Sequence, residues 1–192
     1  MNIANKLTTI RVLLIPVFIL LLVLPLDWGQ VEWFNTVIPT NQVVAGFIFA
    51  FASSTDYLDG YLARKYNLVT SFGAFFDPMA DKLLVMAALI LLVEAQVIWG
   101  WTVFIILGRE LMVTGLRVLL AQSDGQVMAA KMPGKIKTFT QMFAILFYLF
   151  NDIGFSQFNI PMADILYTIC LIFTVYSGID YFYQARFLFK DF

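Results

Sequence analysis

A 192-residue chain that is 61% hydrophobic, 13% charged and of net charge −1 lacks the polar surface of a water-soluble domain, in which about a quarter of the residues are charged. It has no histidine and one cysteine, Cys170, which excludes His-based nucleophile systems, intrachain disulfides and cysteine zinc sites. Any transfer chemistry is left to carboxylates, lysines, arginines and hydroxyls, with lipid as the solvent.

A bilayer core takes roughly 20 apolar residues per helix. Hydropathy predicts six such spans, near 7–26, 41–66, 70–96, 99–121, 133–151 and 161–189. The first is introduced by a short amphipathic juxtamembrane segment, 1–11, carrying Lys6 and Arg11. Pro25, Asp27 and Trp28 follow the first apolar run, where a signal peptide would place small residues for cleavage, so a retained helix is expected. Pro39 with Asn41, Pro133 with Gly134, and Asn159 with Pro161 mark the starts of the second, fifth and sixth spans. No alternation is sustained enough for a barrel. The expectation is an all-α membrane protein of one domain, 1–192, with six transmembrane helices.

Basic residues set the orientation. Lys6 and Arg11, Arg64 and Lys65, the cluster Lys131, Lys135 and Lys137, and finally Arg186 with Lys190 all fall at one set of helix ends. The opposite connections hold Asp27, Glu32, Glu94 and Asp152 and no basic residue. Both termini are therefore expected in the cytoplasm. Trp28, Trp33, Trp99 and Trp101 fall at the outer surface, as interfacial aromatics do.

Charges interrupt the spans on the cytoplasmic side only: Asp56, Asp59 and Arg64 in the second, Asp77, Asp81 and Lys82 in the third, and Arg109, Glu110 and Arg117 in the fourth. An ionised group at membrane depth costs several kcal/mol unless paired or hydrated, so these residues imply a wet cavity facing the cytoplasm. Asp56 and Asp59 are three apart, Asp77 and Asp81 four apart, and such spacings share a helix face. A helical hairpin would bring four carboxylates to one pocket. Their mutual repulsion in low dielectric calls for bound cations. An all-oxygen donor set favours Mg²⁺ or Mn²⁺ over zinc. Two ions sharing three carboxylates would make a phosphoryl-transfer clamp, leaving the fourth carboxylate as a general base. Gly60, Ala63 and Gly73 keep that face free of bulk, and Arg64 offers a bidentate fork to phosphate.

The run Asp56-x-x-Asp59-Gly60-x-x-Ala63-Arg64, eight residues, then Gly73-x-x-x-Asp77-x-x-x-Asp81 resembles the signature of the CDP-alcohol phosphotransferase family at every fixed position. The resemblance implies Asp56, Asp59 and Asp77 as ligands of a two-metal centre joined by Asp81, with Asp81 as the base that deprotonates the acceptor hydroxyl. It also implies Asp59, Gly60, Ala63, Arg64, Gly73 and Asp77 as contacts of the CDP-lipid. In the family the hydroxyl attacks the β-phosphorus and CMP leaves.

Three further stretches, 5–11, Gly108-Arg109-Glu110 with Arg117, and 134–141, look like the bacterial phosphatidylglycerophosphate synthase branch. That branch joins CDP-diacylglycerol to sn-glycerol 3-phosphate. A phosphorylated acceptor needs a cationic pocket, for which Arg109, Arg117, Lys135 and Lys137 are the candidates. Asn5, Thr8 and Arg11 are candidates for the cytoplasmic rim. From residue 142 onward the reading rests on hydropathy alone. The resemblance also implies a homodimer in the bacterial inner membrane, with the active site facing the cytoplasm and no nucleic-acid partner.

Blander readings compete. The aspartates could pair with Arg64, Lys82 and Arg109, Lys65 and Lys131 fit solvated anchors that attract anionic headgroups, and Asp180 could serve as an ion-pair partner. Two functional alternatives stand beside the leading one. The same chemistry could use inositol phosphate or a lipid alcohol as acceptor, or the buried carboxylates could belong to a cation transporter. Transporters usually carry repeated halves and midplane sites, and neither is visible here.

Overall fold

The computed structural model describes residues 3–66, 71–122 and 132–186, and within these the side chains outside 3–8, 56–66, 71–78, 80–81 and 120–122. The described residues include six α-helices: α1 (Ile3–Val23), α2 (Thr40–Tyr66), α3 (Ser71–Glu94), α4 (Gly100–Gln122), α5 (Met132–Leu149) and α6 (Met162–Ala185). Each coincides with one expected span to within a few residues. Apolar runs in lipid take this form because only an α-helix satisfies every backbone N–H and C=O within its own segment.

Two features add detail to the expected all-α arrangement. The start of the chain is continuous with the first span, α1 running unbroken from Ile3 through Pro16 to Val23. A short hairpin joins α1 to α2. Strands β1 (Gln30–Trp33) and β2 (Thr36–Pro39) form an antiparallel hairpin between α1 and α2, with Val31 opposite Ile38 and Trp33 opposite Thr36. Phe34 and Asn35 at its tip have φ of 49° and 57°, the left-handed pair that a type I′ two-residue turn requires. Ile38 is fully buried and anchors the hairpin, while Trp28, Trp33 and Phe34 stay exposed.

Every helix sends at least one side chain to full burial: Phe18, Phe49, Leu89, Ile106, Ile145 and Cys170, from α1 to α6 in order. The outside is apolar as well. Leu13, Phe104, Leu111, Ile172 and Ile179 leave between 61% and 76% of their surface exposed. Large apolar exteriors on this scale mark a surface made for lipid. In that solvent apolar side chains gain little by turning inward, so small residues and close contacts decide the packing. Ala45 and Ala52 on α2, Ala88 on α3 and Ala144 on α5 are buried accordingly. Gly46 is tighter still, since a Cβ there would lie 2.8 Å from the Phe150 ring.

Among the described residues, Met162–Ala185 is long and apolar enough to cross a membrane by length and composition alone. α4 is less apolar because it carries Arg109, Glu110 and Arg117.

The helices alternate in direction. Leu22 and Val23 at the end of α1, Asn41 and Gln42 at the start of α2, and Leu91 and Glu94 at the end of α3 surround one cavity of about 330 Å³. The start of α2 and the end of α3 therefore share one end of the bundle. Polar ties hold that end together: Asn41 Nδ2 donates to Leu21 O (2.9 Å), and Tyr148 Oη donates to Asp164 Oδ1 (2.6 Å). Pro161, at the N-cap of α6, offers no side-chain acceptor, and Asp152 from the preceding turn supplies one, accepting from the Ala163 N–H at 2.7 Å.

Candidate active site

At the opposite end, a cavity of about 220 Å³ opens between α3, α4, α5 and α6, with Lys82, Arg109, Glu110, Arg117, Lys137 and Tyr181 in its wall. Among the described residues, four cations thus face one carboxylate. Arg109 and Arg117 are eight residues apart on α4, a little over two turns, so they share a face. Lys137 comes from the second turn of α5, and Lys82 from α3, one residue after Asp81.

Each cation is held by a specific partner. Lys137 is buried against Glu110, whose Oε1 accepts from its Nζ. An ammonium has three donors, so this ion pair leaves Lys137 with hydrogen-bonding capacity toward the cavity. Lys82 Nζ donates to Thr114 Oγ1 at 2.8 Å, and that hydroxyl donates to the Glu110 carbonyl at 2.7 Å. Arg109 Nε donates to Ser177 Oγ at 3.1 Å, and Arg117 Nη2 donates to Tyr181 Oη at 2.7 Å. Both guanidinium carbons lie 5.4 Å from the centroid of the Tyr181 ring.

Gln141 adds an unusual element. It is 2% exposed and lines the cavity, yet among the described residues its Nε2 has no hydrogen-bond partner. A buried amide left unsatisfied costs about 1–3 kcal/mol, and a ligand oxygen in the cavity would recover that cost.

The structure brings Arg109, Arg117 and Lys137 together as expected from the sequence. Lys135 does not join them; it is exposed and absent from the wall. The helical period explains the split, because positions two apart on a helix point to nearly opposite sides. Arg11, expected at the rim, is 1% exposed in α1 and does not line this cavity.

The side chains of Asn5 and Thr8 lie outside the described residues, as do those of Asp56, Asp59, Ala63, Arg64, Asp77 and Asp81, and the surroundings of Gly60 and Gly73. Their backbone positions are described: 56–64 belong to α2, and 73–81 to the first half of α3. These two helices pack on one another, and α3 itself carries Lys82 and Val85 into the cavity wall. The donor set on offer is all carboxylate oxygen, the kind that suits hard divalent ions.

Sequence reasoning missed five contributors: Lys82 and Thr114 as a linked pair, Gln141 as an open donor, and Tyr181 with Ser177 as the α6 partners of the two arginines. Gln141 closes the 134–141 stretch, and its signal there is an amide entering an apolar run. Tyr181 gave no signal, being one aromatic among many in a span read by hydropathy alone.

Comparison with known proteins identifies the family. The family model for CDP-alcohol phosphatidyltransferase matches residues 1–176. The chain is 46% identical over 181 residues to a Bacillus subtilis protein named CDP-diacylglycerol–glycerol-3-phosphate 3-phosphatidyltransferase, covering 94% of this chain and 93% of the relative. Proteins of the same name from Pseudomonas fluorescens and Haemophilus influenzae are 42% and 37% identical, covering 81% and 96% of this chain and 76% and 94% of their own. The chain belongs to the CDP-alcohol phosphatidyltransferase family.

Proposed function

We infer that the protein transfers the phosphatidyl group of CDP-diacylglycerol to sn-glycerol 3-phosphate, giving phosphatidylglycerol phosphate and CMP. The observation that carries the acceptor is the cavity in which, among the described residues, Lys82, Arg109, Arg117 and Lys137 face one carboxylate, that of Glu110. A phosphate dianion matches these cations through charge-assisted hydrogen bonds, which a neutral alcohol does not offer. Arg109, Arg117 and Lys137 bind the acceptor phosphate, and the open Nε2 of Gln141 donates to an acceptor oxygen. Lys135, exposed beside them in sequence, contributes field rather than contact.

The donor belongs to the neighbouring hairpin of α2 and α3. Gly60, Ala63 and Gly73 leave room for its nucleotide and pyrophosphate, and Arg64 meets a phosphate. Asp81 takes the proton of the acceptor hydroxyl as that oxygen bonds to the β-phosphorus and the bond to the CMP oxygen breaks. Asp56, Asp59, Asp77 and Asp81 are the residues that would hold two divalent ions, Mg²⁺ or Mn²⁺, whose charge would stabilise the phosphate oxygens and the leaving CMP. Membership of a transferase family sets the cation-transporter alternative aside.

All six helices cross the bacterial cytoplasmic membrane, with both termini and the active site on the cytoplasmic side, and the protein works as a homodimer. The apolar exterior and the cationic inner end support this placement.

Purified protein given CDP-diacylglycerol, sn-glycerol 3-phosphate and Mg²⁺ or Mn²⁺ should release CMP and phosphatidylglycerol phosphate in equal amounts. Inositol phosphate, glycerol and lipid alcohols should compete poorly. Equal use of glycerol would overturn the acceptor, and no CMP release with any alcohol would overturn the reaction.

A further inference from the structure

The cavity holds an electrostatic problem whose solution lies on α6. Arg109 and Arg117 are about 12 Å apart along the α4 axis at the usual helical rise, yet both guanidiniums are gathered at one ring, each 5.4 Å from the Tyr181 centroid. Two like charges drawn together repel, so the arrangement needs compensation. Tyr181 supplies it in two ways. Its ring presents a π-face to both cations, an attraction that strengthens when the ring is shielded from water, and this ring is 4% exposed. Its hydroxyl also accepts from Arg117 Nη2 at 2.7 Å.

The rest of the α6 wall is cut to fit Arg109. Ser177 Oγ takes its Nε–H at 3.1 Å, which fixes the arm while leaving the terminal nitrogens to other partners. A Cβ on Gly178 would lie 3.3 Å from Arg109 Cγ, and a Cβ on Gly134 would lie 3.7 Å from Arg109 Nη2. Glycine at 178 therefore gives the arginine stem its lane.

Resting on the acceptor reading above, we propose that Tyr181 is a positioning residue that determines acceptor specificity. It holds Arg109 and Arg117 as a preformed fork spaced for one phosphate dianion, so that a phosphorylated acceptor is taken and a neutral alcohol refused. A fork organised in advance spares the acceptor the cost of ordering two long side chains and overcoming their repulsion on arrival.

The test compares Tyr181→Phe, Tyr181→Leu and Gly178→Ala with the parent protein. Removing one hydrogen bond to a charged group should raise KM for glycerol 3-phosphate about tenfold in Tyr181→Phe. Losing the ring as well should raise it about a hundredfold in Tyr181→Leu. Gly178→Ala should shift the same constant by displacing Arg109. In all three, KM for CDP-diacylglycerol should hold, and in Tyr181→Phe kcat and the thermal midpoint in detergent should hold too. Calorimetric binding of glycerol 3-phosphate should weaken in parallel, a readout independent of turnover. An unchanged KM for glycerol 3-phosphate in all three variants would overturn the proposal, as would equal rises for both substrates with a lowered midpoint. Weakened glycerol 3-phosphate binding in a protein that releases no CMP would uphold the positioning role and sink the reaction instead.

Discussion

Lys137 on α5 is buried against the carboxylate of Glu110 on α4, tying two walls of the cationic cavity together. Breaking such a pair from one side strands a charge in a low-dielectric setting, which is far more costly than removing both partners. Glu110→Gln should therefore lower stability by roughly 3 kcal/mol, the lower end of the range for buried pairs, because Glu110 keeps 18% of its side-chain surface exposed. The double variant Glu110→Gln/Lys137→Met should recover most of that loss. Denaturant or thermal unfolding in detergent reads both, and additive losses would show that the two residues do not act as a pair.

Gln141 separates stability from function. Its unpartnered Nε2 is a liability in the resting protein, so Gln141→Met should leave stability unchanged or raise it by up to about 1 kcal/mol. The same change should raise KM for glycerol 3-phosphate several-fold if, as proposed, the bound acceptor satisfies the amide. Lower stability with unaltered KM would assign Gln141 to packing alone.

Gly46 tests the packing at the other end of the bundle. A methyl group there would meet the Phe150 ring at 2.8 Å, so Gly46→Ala should cost about 1–3 kcal/mol through overpacking. Adding Phe150→Leu should relieve much of it. A Gly46→Ala protein as stable as the parent would mean that the ring swings aside freely.

Asp81→Asn should reduce CMP release by a factor of about 100 or more, the usual contribution of a positioned base, while CDP-diacylglycerol binding persists. Equilibrium binding of the donor alongside turnover separates the two effects. Turnover at the parent rate would remove Asp81 from the role of base.

Much of this was legible in the sequence, for physical reasons that differ by region. Six apolar runs became six helices, the form in which a segment satisfies its own backbone hydrogen bonds, and the spacing of Arg109 and Arg117 put them on one face because the helical period does so. The hairpin 30–39 was not legible. Its tip is Phe34-Asn35 rather than an Asn-Gly or Asp-Gly pair, and its strands are four residues each, too short for alternation to register. Lys135 and Lys137 were read as equivalent although two-residue spacing sends them to opposite sides. Tyr181 and Ser177 were invisible for a different reason: their role depends on α6 lying against α4, a relation between helices that hydropathy along one helix does not encode.

In the proposed mechanism the aspartates of α2 and α3 carry the chemistry only with divalent metal bound, and a titration puts that to the test. Protein stripped by a chelator and dialysed free of it should release no CMP from CDP-diacylglycerol and glycerol 3-phosphate, and stepwise addition of Mn²⁺ should restore release saturably in the parent but not in Asp59→Asn. Full CMP release by the stripped protein, or equal restoration in Asp59→Asn, would contradict the two-metal reading of these carboxylates.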